Sequence, residues 1–405
     1  MTKLPHTQLP LGSSHAVPAF APWPFYAEDE VDAVAQVLRS GKVNYWTGEE
    51  GRRFEEEYAA AAGCRYAVAL MNGTVALELA LHALEIPAGA EVITSPRTFI
   101  ASASAAVARR CTPVLAEVDP DSGNITAESI AKVITPKTRA IIAVHLAGWP
   151  CDMDPIMALA KKHGIKVIED CAQANGATYK GCPVGGIGHV GCFSFCQDKI
   201  ITTGGEGGML TTNDEQVWRR AWEYKDHGKS YDAVYHRQQA PGFRWLHESF
   251  GTNWRMTELQ SAVGRIQLRK LSEWTRLRKA HMNQLFDGLA GHPALHIPRA
   301  DGDFGHAAYK AYVYLKPETL HPQWTRDRIM TEVTATGVPC FSGSCSEIYL
   351  EKAFSTLPSG QDCSFPIAKR LGETSLMFMV HPTLTEASIA SAVESLRHVL
   401  SRSCF

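Results

Sequence analysis

The sequence predicts an α/β fold, with a large unit built on a mostly parallel central sheet sandwiched by helices and a smaller C-terminal α+β unit. Two observations carry this. Between about residues 66 and 213, short apolar runs alternate with helical patterns. Near-continuous apolar strands separated by helices mark a parallel sheet covered on both faces. After about residue 257 the texture changes to charged helical segments, then to extended stretches broken by polar loops. A chain of 405 residues is long enough for two or three such units.

The elements follow in order. Residues 1–20 are rich in Pro, Ser and Gly and read as a loose arm. Strands are expected at Tyr66–Met71, Glu91–Ser95, Pro113–Val118, Ala140–His145, Lys166–Glu169, Gly191–Phe195 and Met209–Thr212. Most are rich in Val, Ile or Phe and bounded by Gly, Pro, Asp or Asn. Thr74–Leu84 is apolar nearly all round, as a helix packed between a sheet and another layer would be. Thr257–Leu271 reads as a helix with Leu259, Val263 and Ile266 on one stripe, and Trp274–Lys279 extends it. Extended segments at Ala307–Leu315 and Gly337–Cys340 and a final helix near Glu386–Leu400 complete the chain. The expected division is an arm at 1–20, a large unit at 21–275 and a small unit at 276–405.

Composition excludes some classes. Lys plus Arg number 40 against 42 for Asp plus Glu, so nothing in the charge balance argues for nucleic acid or an anionic membrane as partner. No apolar run approaches the roughly 20 residues that span a bilayer. The opening residues lack a basic-then-apolar order, so no secretion signal is expected and the expected compartment is the cytoplasm. The 11 cysteines are scattered without a C-x-x-C pair, which fits reduced thiols and no metal site.

The residues that carry chemistry lie at strand ends. Lys199 stands between an apolar strand and the glycine-rich run Gly204-Gly205-Glu206-Gly207-Gly208. Asp170 closes another apolar strand 29 residues earlier. In an open α/β sheet, ligands gather beyond the carboxyl ends of strands. An amine and a carboxylate delivered there match pyridoxal 5′-phosphate (PLP). The lysine can form a Schiff base with the aldehyde, and the acid can keep the ring nitrogen protonated. Asn72-Gly73-Thr74 follows a strand and opens a helix. Gly73 permits close backbone approach, Thr74 can cap the helix, and the helix N-terminus offers N–H groups to a phosphate. Ser194 can add a hydroxyl, and Gln173 can donate to the cofactor's phenolate oxygen. Taken singly, each residue also fits a plain turn, loop or strand end; the four elements in order, each supplying a different part of one cofactor, make the case.

Several segments then resemble the DegT/DnrJ/EryC1/StrS family of PLP-dependent sugar aminotransferases, within the aspartate aminotransferase fold (type I). They are Val43-Asn-Tyr-Trp-Thr-Gly48, Asn72-Gly-Thr-Val-Ala-Leu77, Thr98-Phe99, Val144-His-Leu-Ala-Gly148, Glu169-Asp-Cys-Ala-Gln173, Phe193-Ser-Phe195 with Lys199 and Gly205-Glu-Gly-Gly208, and Asn253-Trp-Arg-Met-Thr-Glu258. They span roughly residues 24 to 270, with weaker similarity beyond. The resemblance implies that Lys199 is the Schiff-base lysine and proton shuttle, with pyridoxamine phosphate formed during turnover. Asp170 would pair with the pyridine nitrogen and Gln173 with the 3′-oxygen. Gly73, Thr74 and Ser194 would hold the phosphate, and Phe99 would stack on the ring. Asn253 would reach the phosphate from a neighbouring subunit, making the site a property of a homodimer. Two departures from the family pattern are an extra glycine at 204–205 and Cys171 where alanine is usual.

The implied reaction is amination of a nucleotide-linked keto-sugar with L-glutamate as expected donor. Arg255 and Lys229 are candidate cations for a diphosphate at the mouth. Two alternatives stay open at this point: amination of a keto-cyclitol or a sugar without a nucleotide, and a PLP-fold regulator without turnover. Intact Lys199, Asp170 and Gln173 speak against the regulator.

Overall fold

A computed structural model of the chain describes residues 20–238, 242–357 and 364–405. Apart from Phe20, the expected N-terminal arm lies outside the described residues.

All seven expected strands form, with ends displaced by up to three residues. They are β1 (Tyr66–Leu70), β2 (Glu91–Thr94), β3 (Thr112–Leu115), β4 (Thr138–Val144), β5 (Lys166–Asp170), β6 (Val190–Ser194) and β7 (Gly208–Thr212). They make one sheet in the order β1-β7-β6-β5-β4-β2-β3. Neighbours from β3 to β6 are parallel, while β7 runs antiparallel to both β6 and β1. The carboxyl ends of β1, β5 and β6 therefore share one edge of the sheet with the start of β7. Register ties them together: Leu70 and Ser194 both oppose Gly208, and Asp170 opposes Cys192. The strand residues Val68, Ile93, Ile141, Ile142, Val167, Ile168 and Leu210 are fully covered, as a sheet with helices on both faces requires.

The helices that position the site are α1 (Glu28–Ser40), α2 (Glu50–Ala61), α3 (Gly73–Ala83), α4 (Ala101–Ala108), α5 (Glu258–Leu289) and α6 (Glu386–Ser403). Helix α3 buries Ala76, Leu77, Leu79, Ala80, Leu81 and Ala83, which accounts for its all-round apolar sequence. Thr257 starts α5 with a capping box. Its hydroxyl accepts from the Gln260 N–H, and the Gln260 side chain accepts from the Thr257 N–H at 3.0 Å. This helix runs unbroken through residue 275. No Gly or Pro occurs between Arg265 and Asp287 to stop it. Its first half lies over α2, where Leu268 and Leu271 pack against the Phe54 and Tyr58 cluster. Its second half, with Leu285 and Leu289, belongs to the core around Ile389 and Leu396 of α6.

The C-terminal part carries an antiparallel sheet of β8 (Leu295–His296), β9 (Ala311–Leu315), β10 (Cys340–Phe341) and β11 (Ser375–Phe378), in the order β8-β9-β11-β10. Just ahead of β9, the chain bonds to the loop after β4. Ala307 N–H donates to the Gly148 carbonyl at 2.8 Å, and Tyr309 N–H to the Ala147 carbonyl at 3.0 Å. These bonds carry Tyr309 and Lys310 to the carboxyl edge of the large sheet. No described helix is long and apolar enough to cross a membrane.

Candidate active site

Alternation along β5 sends its last two acids to different tasks. Glu169 is fully buried and accepts four hydrogen bonds: from His145 Nε2 at 3.1 Å and from the N–H groups of Gly185, Ile187 and Gly188 at 2.9, 2.8 and 2.7 Å. His145 Nδ1 accepts from the Cys151 N–H, which leaves Nε2 to donate. Burial pushes the Glu169 carboxyl up, but His145 and the loop N–H groups more than offset this and hold it below its ordinary value. His145, Glu169 and Cys171 bring three possible metal-ligand atoms within 4.8 Å of one another. The donors on Glu169 account for that carboxylate as a structural acceptor.

Asp170, also buried, has only two partners among the described residues, both neutral. Ser102 Oγ donates to Oδ2 at 2.8 Å, and the Ala172 N–H donates to Oδ1 at 3.2 Å. Burial raises its carboxyl above the ordinary value, and these two donors only partly restore it. A buried carboxylate lacking a cation in contact is suited to a cationic group brought by a ligand.

The turn after β1 abuts the end of β6. A Cβ at Gly73 would lie 2.7 Å from Ser194 Cβ, and one at Gly208 would lie 2.4 Å from the Asn72 carbonyl oxygen. Only glycine fits either place. Thr74, expected from sequence to cap α3, is instead its second residue. Asn72 is the cap: its backbone is extended and its side chain accepts from the Val75 N–H at 3.0 Å. Asparagine and threonine are both good caps, and the helix starts one residue earlier than the sequence suggests. The result leaves the Gly73 and Thr74 N–H groups and the Thr74 hydroxyl available beside Ser194.

Lys199 follows β6. Its Nζ lies 3.3 Å from Asp198 Oδ1 and 3.4 Å from Tyr309 Oη, and Tyr309 in turn donates to the Asp198 carboxylate. Its side chain is 18% exposed, enough for a small molecule to reach. Gln173 Oε1 accepts from the Ala147 N–H at 2.8 Å, which fixes the amide and leaves its NH₂ free to donate. Through the Tyr309 N–H bond to Ala147, Gln173 and Lys199 belong to one bonded frame. Phe99 stands in the loop between β2 and α4 and is 69% exposed. Gly204 and Gly205 both take left-handed backbone, at φ 83° and 111°, so the glycine pair is what this loop's path demands.

The structure thus brings Gly73 and Ser194 together beside Thr74, and places Asp170, Gln173 and Lys199 along the same sheet edge. Asn253 stands apart. It is exposed, on a segment whose Trp254 carbonyl accepts from the Met71 N–H, and it makes no side-chain hydrogen bond among the described residues. Nor does it cap α5, which Thr257 does. Arg255 and Lys229 are not free cations at a mouth. Both pair with Asp226, whose side chain is fully covered, and which also accepts from Trp46 Nε1 at 2.6 Å. Glu258, at the end of the same motif, accepts from the N–H groups of Glu50 and Gly51 and so caps α2. Residues missed from sequence are Ser102, Tyr309, Lys310 and Arg278. Only Ser102 left a trace there, as one of two serines in a helix of small residues, one turn after Thr98.

The residues fit PLP. There is a buried acid for a ring cation, an amine within reach, and a helix N-terminus held against a serine hydroxyl by a glycine. Comparison with known proteins agrees. The DegT/DnrJ/EryC1/StrS aminotransferase family model matches residues 24–397. A solved aminotransferase from Psychrobacter cryohalolentis shares 58% identity, covering 95% of this chain and 99% of that one, with a TM-score of 0.92. A UDP-N-acetyl-3-dehydro-α-D-glucosamine 3-aminotransferase from Acidithiobacillus ferrooxidans is 36% identical over 87% of this chain and 89% of its own. A GDP-perosamine synthase from Caulobacter vibrioides is 35% identical over 88% and 92%.

Proposed function

Because this chain belongs to the DegT/DnrJ/EryC1/StrS aminotransferase family, we propose that it moves an amino group from L-glutamate to the ketone of a nucleotide-linked sugar. The names of relatives support the substrate class, since they carry UDP- and GDP-linked sugars. The observation that carries the reading is the pairing of a buried, cation-free Asp170 with Lys199 at one sheet edge.

When bound, the cofactor supplies an aldehyde that takes up the amino group and a ring that accepts the electrons released at the substrate carbon. The chain's own residues do the rest. Lys199 Nζ would be the amine for attachment and, when free, the base that would take a proton from the donor's α-carbon. Asp170, oriented by Ser102 and Ala172, keeps the ring nitrogen protonated. Gly73, Thr74 and Ser194 hold the phosphate by N–H and hydroxyl donation. The NH₂ of Gln173 would donate to the ring oxygen, and the exposed Phe99 would cover the ring.

In this proposal the working unit is a homodimer, with Asn253 of a second copy completing the phosphate site. Its exposure and lack of a side-chain partner support that role. The purified protein should be yellow, and glutamate alone should bleach the visible band. Colourless protein that stays so with added PLP would overturn the proposal.

A further inference from the structure

Lys310 immediately precedes β9 and is nine-tenths buried. Its Nζ makes one polar contact among the described residues, 3.3 Å from Met379 Sδ, a weak acceptor. No carboxylate lies within ion-pair distance of it there. It sits 4.6 Å from the centroid of the Tyr309 ring, and Lys199 Nζ lies 5.2 Å from the same centroid. The two amines are therefore separated by no more than those two spans laid end to end. Behind them Arg278 is fully buried, with its guanidinium 4.8 Å from the Trp23 ring. One nitrogen donates to the Tyr309 carbonyl at 3.4 Å, while Nε and Nη2 have no partner among the described residues. Trp23 Nε1 donates to the Lys199 carbonyl, so this group borders directly on the lysine.

Three cations thus surround Tyr309, and the half-exposed Asp198 is bonded to Lys199 and Tyr309 rather than to Lys310 or Arg278 among the described residues. Burial, with Arg278 and Lys199 adding to it against the pull of Asp198, brings Lys310 down to about 8, and burial brings Arg278 down to about 9. Buried charge of one sign calls for an anion. Lys310 also lines a cavity of about 300 Å³ walled by Ala147, Trp149, Met282, Phe286 and Tyr312, where the large sheet's loops meet the C-terminal part.

We infer that Lys310, backed by Arg278, seats a substrate carboxylate, and that this carboxylate belongs to the amino donor. The inference rests on the reaction proposed above and adds the donor's subsite to it. A carboxylate can come from two sources here, the donor or a sugar acid. The donor is favoured by chemistry: every amino acid carries a carboxylate on the carbon that bears its reacting amine, and Lys310 and Lys199 flank the same Tyr309 ring. A sugar carries one only when it is oxidised.

The test titrates holoenzyme with glutarate, which keeps both carboxylates of the donor and lacks its amine, and with UDP-glucuronate and UDP-glucose. Lys310→Met should weaken glutarate roughly 10- to 100-fold, the worth of a hydrogen bond between charged groups. It should raise KM for glutamate similarly and leave the difference between the two UDP-sugars unchanged. Lys310→Arg should recover part of the loss, and Lys310→Gln repeats the test if the methionine variant does not fold. Loss of UDP-glucuronate relative to UDP-glucose, with glutarate and the glutamate KM unaffected, would overturn the assignment to the donor. Unchanged behaviour toward all these ligands would overturn the subsite altogether. If wild-type holoenzyme is not bleached by glutamate, the proposed reaction fails whatever Lys310 does.

Discussion

Ser102 Oγ donates a 2.8 Å hydrogen bond to Asp170 Oδ2, and Thr98 Oγ1 lies 3.0 Å behind that hydroxyl. The relay ties the loop bearing Phe99 to the acid proposed to pair with the ring nitrogen. It also favours the ionised form of a carboxylate that burial disfavours. Asp170→Asn should fold and lose orders of magnitude in rate. Ser102→Ala should act through Asp170: without the donor, the carboxyl rises further. The acid limb of the pH–rate profile should then move to higher pH by about one unit, the value of a charge-assisted bond. An unmoved limb would deny Ser102 this role.

The close approach of Gly73 to Ser194 makes Gly73→Ala informative. Its Cβ would lie 2.7 Å from Ser194 Cβ and 3.2 Å from Ser194 Oγ, so the turn or the serine must shift. We expect a stability loss of about 1–3 kcal/mol in urea. PLP affinity, measured by dialysis, should fall more than tenfold because two phosphate donors move together. Unchanged affinity would place the phosphate elsewhere.

Glu169 should matter for stability rather than for electron flow. Its folded-state carboxyl is held below the ordinary value, so its contribution is present above the unfolded carboxyl range and is lost as pH falls through the lower folded value. Glu169→Gln presents an amide where N–H donors converge. It should cost about 3–5 kcal/mol at pH 7. Below about pH 4 the gap to wild type should narrow, because the unfolded carboxyl takes up a proton there while the folded one still resists it. A gap constant from pH 7 to pH 3 would contradict the assignment.

Much of this was legible in the sequence, for local reasons. The seven strands show as continuous apolar runs because both faces of the sheet are covered. Lys199, Asp170, Gly73 and Ser194 show because they lie at or just beyond the carboxyl ends of apolar strands. What was not legible depends on partners far along the chain. Arg255 and Lys229 look like free cations until Asp226 is seen between them. The burial of Lys310 and Arg278 cannot be read from a polar residue in a mixed-polarity segment. The division proposed near residue 275 falls inside an unbroken helix whose two halves pack in different cores.

Asn253 gives a test of assembly. Lys199→Ala and Asn253→Asp should each be nearly inactive alone, the second because its charge would repel the phosphate. If Asn253 serves the neighbouring subunit, mixing the two variants and allowing exchange should rebuild one native site per heterodimer. Demonstrated exchange without recovered activity would put both residues in the same chain's site.

Product analysis tests the central claim most directly. Wild-type enzyme with PLP, L-glutamate and a panel of UDP-, GDP- and dTDP-linked keto-sugars should convert at least one to its amino sugar, with one 2-oxoglutarate formed for each. Lys199→Ala should convert none. An amino sugar formed equally well by Lys199→Ala, or none from any nucleotide-linked ketone by PLP-loaded wild-type enzyme, would contradict it.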